Sequence, residues 1–222
     1  MISTPAAVVA VDLHRGHLDP AVATMPVPPE RGSALLERTI PAFKALRKAG
    51  AMIIHVVTEY RDAREINSNP FWVSRQSPSR ARAMEHNLTG SPGIEIMPGL
   101  FTEGDGVVMG KKRYSAFLHT DLEFLLHSIG IKTVLLAGVN TNSCILATAF
   151  EAVNRDFAVI TLEDCVDSMD GIEAHLAALH LIRLCLGRVL PSAEVVRELA
   201  GDSLTKGSIG LTVRRRPGRP RI

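Results

Sequence analysis

The chain of 222 residues predicts an α/β protein with a doubly wound, mainly parallel sheet and helices on both faces. Two observations carry this reading. Short apolar runs alternate with segments of helical spacing along nearly the whole chain, the pattern of repeated βαβ units. Several runs, Ala6–Val11 above all, are apolar throughout rather than at every second residue. A strand apolar on both sides is buried on both sides, as a parallel strand between two helical layers must be.

The elements follow in order. Residues 6–11 read as the first buried strand. Residues 31–48 read as a helix, with Leu35, Leu36, Ile40, Phe43, Ala45 and Leu46 at helical spacing and Gly50 as its stop. Residues 51–57 form a second buried strand. The stretch 61–100 breaks the rhythm with Pro70, Pro78, Pro92 and Pro98, yet carries Phe71 and Trp72. A long irregular segment inside a compact domain is more often a functional loop than a linker; a lid over a substrate and a subunit contact both remain open. A short strand at 105–109 follows a Gly-rich turn. A helix at 121–129 presents Leu122, Leu125, Leu126 and Ile129 on one face. Then come a strand at 133–137, a helix at 143–154, a strand at 157–162, a long helix at 172–186, a short strand at 188–190 and a helix at 192–200. Residues 1–205 are expected to form a single domain, followed by a flexible basic tail at 206–222.

Composition narrows the function classes. The apolar fraction is 46%, so the chain is not disordered overall. No run approaches the roughly 20 apolar residues of a membrane span. The N-terminal residues lack a basic region, so no secretion signal is expected. Cys144, Cys165 and Cys185 form no disulfide framework and match no zinc spacing, which points to a reducing, cytoplasmic setting. Arg214, Arg215, Arg216, Arg219 and Arg221 crowd the C-terminus; without them 20 basic residues face 23 acidic ones. The body is mildly acidic and the tail strongly basic.

Three residues carry chemistry. Cys144 ends Gly-Val-Asn-Thr-Asn-Ser-Cys (138–144), between an apolar run and a renewed helical pattern. A cysteine near a helix N-terminus stands where peptide dipoles favour thiolate and free N–H groups can hold an oxyanion. The alternative is a small buried hydrophobe. Asp12 closes the first strand, and Lys111 or its neighbour Lys112 follows the strand at 105–109. A thiol, a carboxylate to take its proton and a cation beside both suffice for amide hydrolysis. Singly, Asp12 also reads as a turn residue and the lysines as solvated edge charges. His14, His17 and His55 read as lone, hydrogen-bonded packing residues rather than ligands.

Three motifs resemble the isochorismatase-like cysteine hydrolases over roughly residues 7–199. They are Val-Val-Ala-Val-Asp-Leu-His (8–14), Gly-Lys-Lys-Arg-Tyr-Ser-Ala-Phe-Leu-His-Thr-Asp-Leu (110–122) and Leu-Ala-Gly-Val-Asn-Thr-Asn-Ser-Cys (136–144). The downstream Leu-Glu-Asp-Cys-Val-Asp-Ser (162–168) is also typical of that family. The resemblance implies the family's three-layer sandwich and a catalytic set of Asp12, Lys111 and Cys144. It also implies a non-proline cis peptide between Val139 and Asn140, and an oxyanion hole from the Asn140 and Cys144 amides. The implied reaction is hydrolysis of a small amide or N-carbamoyl (ureido) compound through a thioester, with water and no cofactor. Homodimers or homotetramers are common in the family.

Departures from the family narrow the reading. Isochorismatases proper cleave a vinyl ether without needing the cysteine, so Cys144 in register favours a C–N hydrolase. Nicotinamidases carry an Asp-x-His metal motif after the second core strand, which Val-Val-Thr-Glu-Tyr-Arg-Asp (56–62) lacks; no metal is expected. Leu13, His17, Phe71, Trp72, Tyr114 and Phe150 are the expected pocket residues. The Asn140 side chain would bond either a substrate carbonyl or its own loop. A binding protein on the same fold, and a nucleic-acid protein using the Arg tail, are the competing readings; the second lacks any further basic aromatic surface.

Overall fold

The computed structural model describes residues 2–74 and 80–206. The basic tail beyond 206 lies outside the described residues. Six strands form one parallel sheet: β1 (Ala6–Val11), β2 (Met52–Thr58), β3 (Gly106–Lys111), β4 (Thr133–Val139), β5 (Ala158–Asp167) and β6 (Arg188–Leu190). Their spatial order is β3-β2-β1-β4-β5-β6, so the chain reverses its direction of winding between β1 and β4. Crevices at such a switch point, beyond the carboxyl ends of the strands, are where open α/β sheets bind ligands.

Alternation along β1 builds two cores. Ala7, Val9 and Val11 face one side with Leu122, Leu126, Ala149, Leu179 and Ile182. These come from α5 (Leu122–Ser128), α6 (Leu146–Val153) and α7 (Ile172–Cys185). Ala6, Val8 and Ala10 face the other side with Leu35, Phe43, Leu46, Val195 and Leu199. Those come from α2 (Pro29–Lys48) and α8 (Ser192–Lys206). The doubly wound sheet expected from the apolar runs is the fold observed.

Differences from expectation are local. A single turn, α1 (Arg15–Leu18), follows β1; four residues are too few to show a period. The irregular stretch after β2 holds α3 (Ala63–Asn67), α4 (Pro70–Ser74) and two short 3₁₀ turns, Ala83–Glu85 and Pro92–Ile94. It is stitched to the body by isolated bridges from His14 to Ile96 and from Tyr60 to Leu88. β5 runs on to Asp167, well past its apolar run, because its pairing with β4 shifts register after Leu136 and resumes at Val166 and Asp167. A π-helical turn, Thr141–Ile145, precedes α6.

One part-buried ion pair fixes the start of β3. Arg47 Nε and Nη2 donate to the Asp105 carboxylate at 2.9 and 2.6 Å, and Thr102 N–H adds a bond at 2.9 Å. His55 Nε2 lies 3.3 Å from the same carboxylate, so His55 belongs to this structural network, far along the strand from the carboxyl edge. Burial works against the Asp105 charge, but Arg47 and Thr102 bring its pKa below the ordinary value. The stability this adds is therefore present above the unfolded carboxylate range near pH ~4 and lost as pH falls through the lower folded value. Arg47→Ala is expected to cost about 1–2 kcal/mol at pH 7 by leaving the part-buried Asp105 carboxylate with only Thr102 N–H and His55. Urea unfolding checks this: the gap from wild type should shrink in acid, and equal midpoints at pH 7 contradict the assignment.

Candidate active site

Four strand ends meet at the switch point. Asp12 follows β1 with φ 57°, a left-handed conformation that Asp tolerates. Its N–H bonds Val56 O at 2.9 Å, and its side chain is buried beneath the end of β2. There Thr58 N–H and Thr58 Oγ1 donate to Asp12 Oδ1 at 2.9 and 2.8 Å. Lys111 ends the edge strand β3 yet is only 2% exposed. Its stem crosses the end of β2, and Nζ donates to Asp12 Oδ2 at 2.6 Å, Thr58 Oγ1 at 2.9 Å and Cys144 Sγ at 3.4 Å. An ammonium has three donors, and all three are used. Lys112 instead turns outward to Glu59 O and to Glu65 Oε2, the latter at 3.0 Å.

The approach of β4 to β1 depends on Gly138. It has φ 116°, and a Cβ there would lie 1.9 Å from Val11 O. Beyond it the Val139–Asn140 peptide is cis, and the chain enters the π-helical turn that carries Cys144. The Asn140 backbone amide, next to the cis bond, favours the charged form of Cys144. Asn140 Oδ1 accepts from Met169 N–H at 2.8 Å, so the oxygen of this side chain holds its own loop. Ser168 Oγ bonds Asn142 Oδ1 at 2.6 Å, Asn142 Nδ2 bonds Asp170 at 2.9 Å, and Arg80 closes on Asp170 at 2.7 Å. Arg31 Nε bonds Asp167 at 3.2 Å. The segment after β5 thus grips the cysteine loop.

The charges settle in one arrangement. Burial opposes ionisation of Asp12, but Lys111, then His14, hold its carboxyl well below the ordinary value. Burial opposes the Lys111 charge as well; Asp12 and Cys144 nevertheless raise its pKa. Burial pushes the Cys144 thiol up to about 11 against the pull of Lys111, with the Asp12 charge adding to the rise. The resting site therefore holds a carboxylate, an ammonium and a neutral thiol. The thiolate that a helix terminus would favour is not the resting form: desolvation and the neighbouring carboxylate outweigh Lys111 and the Asn140 amide.

A cavity of about 50 Å³ opens onto Cys144 and Lys111, room for about three to five waters at ~10–15 Å³ each. His17, Trp72 and Tyr114 line it, and so do Thr58, Tyr60, His86 and Arg113. Trp72 Nε1 donates to Tyr114 Oη at 2.7 Å, Tyr60 meets Trp72 edge-on, and the Arg113 guanidinium lies 5.1 Å over the Trp72 ring. Arg113 donates to the carbonyls of Glu65 and Lys112 and to Ser68 Oγ; no carboxylate among the described residues neutralises it.

Three expected pocket residues are elsewhere. Leu13 is 2% exposed and packs in the core with α2, since it points away from the neighbouring Asp12. Phe71 is 55% exposed and Phe150 is 44% exposed, and neither lines the cavity. Phe150 sits six residues beyond Cys144, about one and two-thirds helical turns, which rotates it off the site. Conversely, Thr58, Asn87 and His86 were not singled out. Thr58 does end a parallel strand at the ligand-binding edge, the signal that marks Asp12. His14 and His17 do not stand alone: with His86 they form a buried cluster.

An isochorismatase domain is matched over residues 6–194. The chain belongs to the isochorismatase family. Within this family it is similar to maleamate amidohydrolase of Pseudomonas putida, 27% identical over 193 residues, which are 87% of this chain and 86% of the relative. It is 33% identical over 100 residues to the ureidoacrylate amidohydrolase RutB of Methylobacterium radiotolerans, covering 45% of this chain and 39% of that protein. Its fold matches the crystal structure of N-carbamoylsarcosine amidase from Thermoplasma acidophilum with TM-score 0.66 and 25% identity, over 85% of this chain and 97% of that one. Isochorismatase-family hydrolases named as amidohydrolases are thus the company this chain keeps. No helix among the described residues is long and apolar enough to cross a membrane.

Alkylation tests the resting charge state. Cys185 is exposed and is expected to react first, so it is replaced by Ser. The rate of iodoacetamide reaction at Cys144 should then climb with pH toward a midpoint of about 11. A rate already at its plateau near neutrality contradicts a neutral thiol.

Proposed function

We propose that this isochorismatase-family member is a cysteine-dependent hydrolase of a small amide or N-carbamoyl compound, acting through a thioester. The observation that carries this reading is the three-way contact of Lys111 Nζ with Asp12, Thr58 and Cys144 at the mouth of a cavity. A cation buried on a thiol and a carboxylate is costly as packing alone, and the same groups are what nucleophilic amide hydrolysis requires.

The steps follow from the charge state. As Sγ attacks the carbonyl carbon, the Asp12 carboxylate takes the thiol proton. Lys111 keeps its proton and stabilises the negative charge as it passes between oxygen and sulfur. The carbonyl oxygen becomes an oxyanion supported by the Asn140 and Cys144 amides; one such donor is typically worth about 3 kcal/mol of barrier. Protonated Asp12 gives its proton to the leaving nitrogen, the C–N bond breaks, and ammonia or an amine departs. Water then adds to the thioester with Asp12 again as base, releasing the acid and restoring the thiol. Arg113, unpaired with any described carboxylate on the cavity wall, favours substrates with an anionic end. The names of the amidohydrolase relatives fit that chemistry: maleamate and ureidoacrylate join a carboxylate to an amide or ureido group.

Small amides and ureido acids, with and without a carboxylate, should be screened for ammonia release. Wild type is expected to turn over at least one carboxylate-bearing member. Cys144→Ala should lose about 10³-fold or more in kcat with an unchanged circular dichroism spectrum. Turnover retained in that variant contradicts the cysteine mechanism.

A further inference from the structure

We infer that His14, His17 and His86 bind one divalent cation of the zinc class on the wall of the cavity, through three imidazole nitrogens. All three are buried, and one ring nitrogen from each lies within 4.8 Å of the others. The rings of His14 and His17 stack at 4.8 Å, and His86 lies 4.7 Å from His17 and 5.6 Å from His14. A tetrahedral ion with bonds of ~2.0–2.1 Å holds its nitrogens about 3.3 Å apart, so the widest gap, up to 4.8 Å, has to close by about 1.5 Å. Imidazole sets of this kind suit zinc, cobalt or nickel rather than calcium or magnesium.

The hydrogen bonds leave the right atoms free. His17 Nδ1 lies 2.6 Å from Met25 O. A carbonyl only accepts, so Nδ1 carries the proton and Nε2 keeps a bare lone pair. His86 Nδ1 is 2.9 Å from Thr24 Oγ1, which again leaves Nε2. Ligating histidines are commonly oriented in this way through their second nitrogen. His14 Nδ1 is fully buried and meets no hydrogen-bond partner among the described residues, a costly defect that a bound ion would remove. Its Nε2 lies 3.5 Å from Asp12 Oδ1 and 3.0 Å from Asn87 Nδ2. With the ion on Nδ1, the Nε2–H turns to the Asp12 carboxylate and the Asn87 Nδ2 contact with Nε2 must open, while Asn87 keeps its 2.7 Å bond to Thr58 O. The result is a carboxylate–histidine–metal chain.

Because His17 and His86 line the cavity, the open side of the ion faces it. The ligands come from the turn after β1 and from the irregular stretch. The segment 56–62 after β2, whose lack of an Asp-x-His pair argued against a metal, supplies none of them.

The test uses the full chain, stripped with chelator and carrying Cys144→Ser so that no catalytic thiol competes for the metal. Equilibrium dialysis against Zn²⁺ with elemental analysis, and Co²⁺ titration followed by visible absorption, are the two readouts. One ion per chain is expected, with a tetrahedral or five-coordinate cobalt band. His86→Ala, and His17→Asn, which keeps a donor for Met25 O, should each weaken binding at least ~10-fold. Replacing the exposed His127 by Ala should not. Far less than one ion per chain in the Cys144→Ser protein overturns the inference, as does binding that survives both cluster variants. Because the thiol is absent throughout, this outcome is independent of the proposed hydrolysis.

Discussion

A buried ammonium organises the candidate site. Lys111 gives up its hydration at the end of an edge strand, where lysines ordinarily point to solvent, and spends all three N–H groups on Asp12, Thr58 and Cys144. Without it, burial would drive Asp12 towards its neutral form, since desolvation is the largest influence on that carboxyl. With it, Asp12 stays ionised beside a thiol that stays protonated. In the proposed reaction this sets up the first proton transfer but holds it back until a carbonyl arrives to take the electrons.

The fold makes this convergence inexpensive. Reversal of winding between β1 and β4 puts Asp12 and the cysteine loop side by side. Thr58 on β2 bridges the gap to β3, whose position is anchored at its far end by Arg47 and Asp105. Gly138 lets β4 close on the Val11 carbonyl, and the segment after β5 clamps the turn that presents Cys144. Each of these contacts is structural, yet each fixes the position of one group of the candidate site.

Legibility followed burial and locality. β1 and β4 could be read because they are apolar on both faces. The end of β5 could not, because Glu163 and Asp164 interrupt the run although pairing resumes beyond them. β3 outran its prediction through Gly110 and Lys111, residue types that strands disfavour. Asp12, Lys111 and Cys144 were legible because each lies at a strand end inside a recognisable motif. Thr58 and Asn87 were not, since their partners lie 29 to 73 residues away and leave no local pattern. Leu13 and Phe150 show the opposite error: closeness to a motif along the chain says nothing about which way a side chain points. The histidines were misjudged one at a time because their meaning lies in their grouping.

The account turns on whether Lys111 holds Asp12 as a carboxylate. Carboxyl ¹³C NMR of metal-free protein labelled at aspartate measures this directly. In the native chain Asp12 should remain ionised well below the ordinary aspartate value of ~4, and in Lys111→Met it should titrate above that value. An Asp12 that titrates normally in the native protein, or identically in both, would contradict the central claim.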